Sequence, residues 1–276
     1  MAARSPLAAP RALSGAAPRA AHRAAPLAAY VLHRYDWSES SLILDLFTRD
    51  LGRIAVAAKG AKRPYSQLRS VLLPFQRIFV TLGRAARDTA SSDVQNLRGA
   101  EWAGGAAMLT GAALFSGFYL NELLMKLLAR HDPHVALFDI YALTLPALVD
   151  SDDAQVETAL RAFELALLRE IGVLPDLSVV TLTQQAVRFH AHYSLQAEAG
   201  VGDARGVGGD LSGSALTGLQ AALEHGSVAA LQHACLGSLP ELKVLLRELI
   251  QHHLGTATLR TRQVMLDLQC LQAENL

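Results

Sequence analysis

Three cations and a ring fall within eight consecutive residues, Lys59-Gly60-Ala61-Lys62-Arg63-Pro64-Tyr65-Ser66, and Arg69 follows shortly after. Charges spaced this closely on a loop can neutralise successive phosphates, and a glycine among them lets the backbone approach a ligand. Arg34 adds a further cation. Tyr35, Trp37 and Tyr65 are rings on which bases could stack. Phe47, Phe75 and Phe79 are expected in the core. The chemistry implied is sequence-independent contact with single-stranded nucleic acid, weakened by salt.

The rest of the chain offers little catalysis. It contains no GxSxG and no HExxH, and the glycine-rich run from Gly200 to Gly209 is not followed by the Lys-Ser or Lys-Thr of a phosphate-binding loop. Asp150, Asp152 and Asp153 precede a helical pattern, where carboxylates favour the helix dipole. The histidines His131, His134, His190, His192, His252 and His253 read as surface or capping residues. No catalytic residue and no metal ligand is assigned.

A loop of cations needs a scaffold. From Ala28 onward, short runs rich in β-branched and aromatic residues alternate with turn residues, which predicts strands at 28–34, 41–48, 53–58, 75–82 and about 94–98. Arg49-Asp50-Leu51-Gly52 is a hairpin turn in which Gly52 can take a positive φ. Five short strands in so little chain fit a closed barrel, which leaves no exposed edge, and an OB-type barrel leads. After Glu101 the spacing turns helical, with apolar residues among Leu114, Phe118, Leu123, Leu124, Leu127 and Leu128 recurring at three- and four-residue spacing. Trp102 to Leu120 reads as a buried core helix. Asp132-Pro133 should then cap and start the next one. Further helices fit 135–148, 154–171, 215–225, 228–236, 240–254 and 259–271. The fold class expected is α+β and multidomain: a five-stranded barrel over 28–100 and an all-α domain over 101–276, with an irregular insert around 177–214. Residues 1–27, mostly Ala, Pro and Arg, are expected to be a disordered extension.

Charge supports the same division. The net charge is zero, but residues 30–100 hold eleven Lys or Arg against six Asp or Glu, while 101–276 hold ten against nineteen. A nucleic-acid surface is therefore expected before residue 100. No apolar run reaches the roughly 18 residues of a membrane span. Two cysteines, Cys235 and Cys270, exclude a disulfide framework and fit a reducing cytosol. In the acidic half, Lys126, Arg130, Arg161 and Arg169 are candidates for the rim of a groove that takes an acidic peptide, although Arg161 and Arg169 could instead pair with glutamates of their own helix.

Tyr30-Val31-Leu32-His33-Arg34, Trp37-Ser38-Glu39-Ser40-Ser41, Asp45-Leu46-Phe47-Thr48 and Ala58-Lys59-Gly60-Ala61 occur in an order that resembles the start of RecO, a family of bacterial recombinational repair mediators. The resemblance continues through Phe115-Ser116-Gly117-Phe118-Tyr119-Leu120-Asn121-Glu122, Leu160-Arg161-Ala162-Phe163-Glu164-Leu165 and Leu259-Arg260-Thr261-Arg262, covering nearly everything from residue 28. It implies an OB domain and a helical domain, binding and annealing of single-stranded DNA, cooperation with RecR, contact with the acidic tail of single-stranded DNA-binding protein, and help in loading RecA. It also implies a cytoplasmic, nucleoid-associated protein. Many relatives carry two cysteine pairs for zinc after a Pro-Asp-Leu. Here Pro175-Asp176-Leu177 leads into Ser178-Val179-Val180, with no cysteine before Cys235, so no zinc and no other cofactor is expected. An RNA-binding barrel and a protein adaptor with a merely solvated basic loop remain the alternatives.

Overall fold

The structure is a computed structural model that describes residues 25–83, 94–105, 108–150, 152–206, 208–255 and 259–273, with backbone alone at 266 and 268–273. Most of the expected N-terminal extension and of the link between the fourth and fifth expected strands, and the Cys270 side chain, lie outside the described residues.

Strands β1 (Leu27–Asp36), β2 (Leu42–Thr48), β3 (Gly52–Ala58), β4 (Arg77–Leu82) and β5 (Val94–Trp102) close a barrel in the order β1-β2-β3-β5-β4, with helix α1 (Leu68–Val71) between β3 and β4. Only β3 and β5 pair in parallel; every other pair is antiparallel. This is the OB-type barrel expected. Alternation along each strand sends Ala29, Val31, Leu44, Leu46, Ile54, Val56, Ile78 and Val80 into the barrel. The opposite faces of β1 and β2 are also apolar, because Tyr30, Leu32 and Phe47 pack outward against helices.

The helices after the barrel are α2 (Gly111–Leu127), α3 (Val135–Ala147), α4 (Asp153–Glu170), α5 (Gly213–His225), α6 (Val228–Cys235), α7 (Leu239–Leu254) and α8 (Arg260–Ala273). The Tyr30 ring lies 5.3 Å from Phe138 and 4.9 Å from Tyr141, and Phe47 lies 5.4 Å from Phe138, so barrel and helices share one aromatic core. Polar groups fix the angle between them. Buried Asn121 donates to the Leu32 carbonyl at 3.0 Å and accepts from the Tyr141 hydroxyl at 2.6 Å, tying α2, β1 and α3 together. At the surface Arg49 grips Asp139 with two bonds of 3.0 and 2.8 Å. Replacing Asn121 by Leu leaves a buried hydroxyl and a buried carbonyl without this partner and should cost about 2 kcal/mol. Calorimetry would show a Tm lower by roughly 6 °C, and the added change Tyr141→Phe should cost less in that background than in the native protein.

Four expectations change. Trp102 ends β5 instead of opening a buried helix, and α2 starts at Gly111, because Gly104 and Gly105 take φ of 79° and 73° and break the run. Helix α3 begins one residue after His134, not at Pro133. Arg130 pairs with Arg53 as an isolated bridge and the His131 N–H donates to the Arg53 carbonyl at 2.9 Å, holding the backbone before Asp132 away from helical geometry. The insert contains a three-stranded sheet of β6 (His192–Gln196), β7 (Gly200–Asp203) and β8 (Leu211–Ser212), in the order β7-β6-β8. Phe79, expected in the core, is 41% exposed on the outer face of β4 opposite Ala28 and Glu101. Among the described residues no helix is long and apolar enough to cross a membrane.

Candidate nucleic-acid interface

Where β1 runs past the barrel core, its inward face continues to the barrel mouth. Arg34 lies opposite Leu44 and Asp36 opposite Leu42, so both share the face of β2 whose Leu44 fills the barrel. The loop after β3 folds back over this mouth: Ala61 is a buried plug, and the Lys62 N–H donates to the Ser40 carbonyl at 3.0 Å. Arg34, Lys62 and Arg69 thereby line one cleft of about 430 Å³ with Asp36, Leu42 and Leu72. Lys62 Nζ lies 3.1 Å from Asp36 Oδ1 and donates to the Ser38 carbonyl at 2.9 Å, and Arg34 Nη1 reaches the Leu72 carbonyl at 3.4 Å. Lys59 and Arg63 are exposed on the same loop, with the Arg63 side chain passing over Gly60. Tyr65 projects from it almost wholly into solvent, at 99% exposure, and Trp37 stands 56% exposed at the neighbouring β1–β2 turn.

Tyr35 does not join this group. It pairs with Ile43 on the outer face, meets His33 edge-on at 4.5 Å, and lines a separate groove of about 520 Å³ between β1, α2 and α8. Burial, and then the nearby Asp45 carboxylate, push its phenol up from the ordinary value. Lys126 stands at the rim of that outer groove, 3.2 Å from Glu122. Arg130 lines neither space and lies 3.8 Å from Asp45 Oδ2. The nucleic-acid candidates, with Lys126 and Arg130, thus fall into a mouth cluster, an outer groove and one interdomain ion pair.

A third space lies on the far side of α8. It measures about 240 Å³, and four cations, Arg161, Lys243, Arg247 and Arg262, surround apolar Leu160, Ile250 and Met265. Arg161 is nearly buried and bonds Glu164 at 2.8 Å, as its spacing on α4 allowed. Burial pushes the Glu164 carboxyl up, against the pull of Arg161 and the Tyr119 hydroxyl that donates to it at 2.6 Å. The same burial raises the neighbouring Cys235 thiol to about 12. Lys243 pairs with Glu157 at 2.9 Å, whereas Arg247 and Arg262 make no ion pair among the described residues. Six of the ten cations after residue 100 therefore line the two grooves flanking α8. Sequence reading missed this clustering; the i, i+4 spacing of Lys243 and Arg247 and the Arg-Thr-Arg opening of α8 were its visible signs.

Beyond Pro175-Asp176-Leu177 the chain turns back on itself without a cluster of metal-binding side chains. The Ser178 N–H and hydroxyl both donate to Asp176 Oδ1, the Val180 N–H donates to the Gln185 carbonyl at 2.8 Å, and the Gln184 N–H donates to the Val180 carbonyl at 2.8 Å. Among the described residues no three His, Cys, Asp or Glu side chains converge to hold a metal.

Comparison with known proteins agrees with this architecture. Residues 26–102 match the family Recombination protein O N terminal, and residues 108–263 match Recombination protein O C terminal. The DNA repair protein RecO of Polaromonas naphthalenivorans (strain CJ2) is 49% identical over 245 residues, which is 88% of this chain and 96% of that protein. That of Variovorax paradoxus (strain S110) is 50% identical over 252 residues, again 88% of this chain and 96% of the relative. An OB-type barrel fused through a shared core to a helical region, together with similarity of this extent, means that the chain belongs to the RecO family of DNA repair proteins.

Proposed function

We propose that this protein is a non-enzymatic recombination mediator that binds single-stranded DNA at the barrel mouth and anneals complementary strands. The observation that carries the reading is the convergence of Arg34, Lys62 and Arg69 in one cleft, flanked by Lys59, Arg63 and the exposed rings of Trp37 and Tyr65. Guanidinium and ammonium groups there neutralise phosphates, and the rings stack bases of any sequence. A strand held by its backbone keeps its base edges free to pair, so annealing follows once repulsion between two strands is reduced. Cooperation with RecR and assistance to RecA loading rest on the resemblance to RecO.

The groove beside α8 that holds four cations fits the acidic tail of single-stranded DNA-binding protein. Apolar residues would take an aromatic end, and Arg247 and Arg262, free of ion pairs among the described residues, would meet carboxylates. Changing both to Ala should weaken an acidic peptide ending in an aromatic residue roughly 30-fold, about 2 kcal/mol, in a calorimetric titration. Unchanged affinity would move the tail elsewhere. With no cysteine between Pro175-Asp176-Leu177 and Cys235, elemental analysis of the purified protein should find no stoichiometric zinc.

The test of the principal reading is annealing of two complementary oligonucleotides by the full chain, followed by fluorescence quenching. Faster annealing than in buffer supports it. An unchanged rate with measurable strand binding would leave a binder, and no binding at all would leave an adaptor.

A further inference from the structure

We propose that the outer groove between β1, α2 and α8 holds unpaired bases of a second single strand, so that β1 separates two strand-binding tracks. The inference rests on the DNA reading of the barrel mouth and extends it.

The pleat of one strand builds both tracks. Arg34 and Asp36 point to the mouth cleft, while His33 and Tyr35, the residues next to them, point to the groove. Successive side chains of a strand face opposite ways. Two ligands bound there would lie back to back across a single layer of backbone.

The groove has the chemistry of a base site. Its volume, about 520 Å³, lies within the range of small-ligand sites. Phe115, Phe118, Met125 and Val264 make it apolar, and the Tyr35 ring, 42% exposed and buttressed by His33, supplies a stacking face at its edge. Phosphates would find Lys126 and Arg260 at the rim.

The carboxylates nearby are already engaged. Glu122 accepts from the Arg260 and Thr261 N–H groups, both at 2.9 Å, and from the Thr261 hydroxyl at 2.7 Å. It thus caps α8 from a different helix. Although burial opposes ionisation, these bonds together hold its carboxyl below the ordinary value. Asp45, beneath the His33 and Tyr35 end, lies between Arg53 and Arg130, each at 3.8 Å. An acidic peptide is better served by the groove across α8, which has four cations and no exposed ring of its own. An aromatic edge with two rim cations, continuous with a DNA cleft on the same strand, favours a nucleic-acid strand here.

Photo-crosslinking of the full-length protein to an oligothymidine carrying 4-thiothymidine tests this, with adducts mapped by mass spectrometry and annealing rates measured alongside. Adducts are expected at the mouth at limiting oligonucleotide, and additionally at Tyr35, Phe115 or Met125 once the oligonucleotide is in excess. The double change Tyr35→Ala and Lys126→Ala should bind the first strand with unchanged affinity yet anneal roughly tenfold more slowly. Adducts confined to the mouth, with annealing by the double variant equal to that of the native protein, would overturn the second track alone. Groove adducts that disappear on adding an acidic peptide, without loss of annealing, would make the groove a protein-docking site and also overturn it. Absence of adducts and of binding anywhere would overturn the DNA reading itself.

Discussion

Changing Lys59, Lys62, Arg63 and Arg69 together to Ala should lower the affinity for single-stranded DNA about 100-fold at physiological salt and flatten its salt dependence. The magnitude follows from counterion release: each lost phosphate contact removes roughly 0.7 from the slope of log K against log salt for a single strand, hence about 3 in all. The fold should survive, because Lys59, Arg63 and Arg69 are exposed and, among the described residues, the Lys62 ammonium makes one surface ion pair and one bond to a carbonyl. Fluorescence anisotropy with a labelled oligonucleotide across a salt series reads both numbers. A variant that binds as the native chain does, with the same slope, would remove the loop from the interface.

Gly52→Ala should be among the most damaging single changes to stability, costing about 4 kcal/mol. Gly52 ends the β2–β3 turn at φ 66°, where a Cβ costs roughly 1 kcal/mol by itself. The rest is steric: the added carbon would overlap the Asp132 carbonyl in the segment between α2 and α3. Neither side can retreat easily. The Gly52 carbonyl accepts from the buried Thr48 hydroxyl at 2.8 Å, and the next residue, Arg53, is bonded to His131. The change therefore pushes apart the seam joining barrel and helices. Gly226→Ala is the control, since Gly226 has φ 73° with open space around its Cα. Calorimetry should show a fall in Tm of roughly 12 °C for the first and about 3 °C for the second. Equal falls would mean that the contact with Asp132 carries no weight.

The barrel and helices were legible because their signals are local. Runs rich in β-branched and aromatic residues between turn residues marked the strands, and the three- and four-residue spacing around Leu123 and Leu124 marked α2. Gly52 announced its own turn. At the start of α3 a distant partner decided the outcome. Asp132 resembles a helix cap, but the bonds from 130–131 to Arg53 override that preference. The short strands of the insert pair through only a few residues each, and β8 has two, too few for periodicity to show.

The candidate site was half legible. Of the cations of 59–69, Lys62 and Arg69 share one cleft with Arg34. Tyr35 was named with Trp37 and Tyr65 as a ring for stacking bases, although strand alternation sends it and Arg34 to different spaces. The cations beside α8 come from α4, α7 and α8, and no spacing rule within one segment could join Arg161 to Arg247 and Arg262. A nucleic-acid surface was expected before residue 100, where the mouth cluster lies, yet the net negative segment beyond it also gathers several of its cations along α8.

The central claim is that the barrel mouth of this protein holds single-stranded DNA through its phosphates. The most direct measurement is the affinity of the unmodified full-length protein for a labelled oligothymidine from low to physiological salt. Phosphate contacts at the mouth would give tight binding at low salt and a steep linear fall of log K with log salt, corresponding to several contacts. No binding at low salt, or binding indifferent to salt, would contradict it.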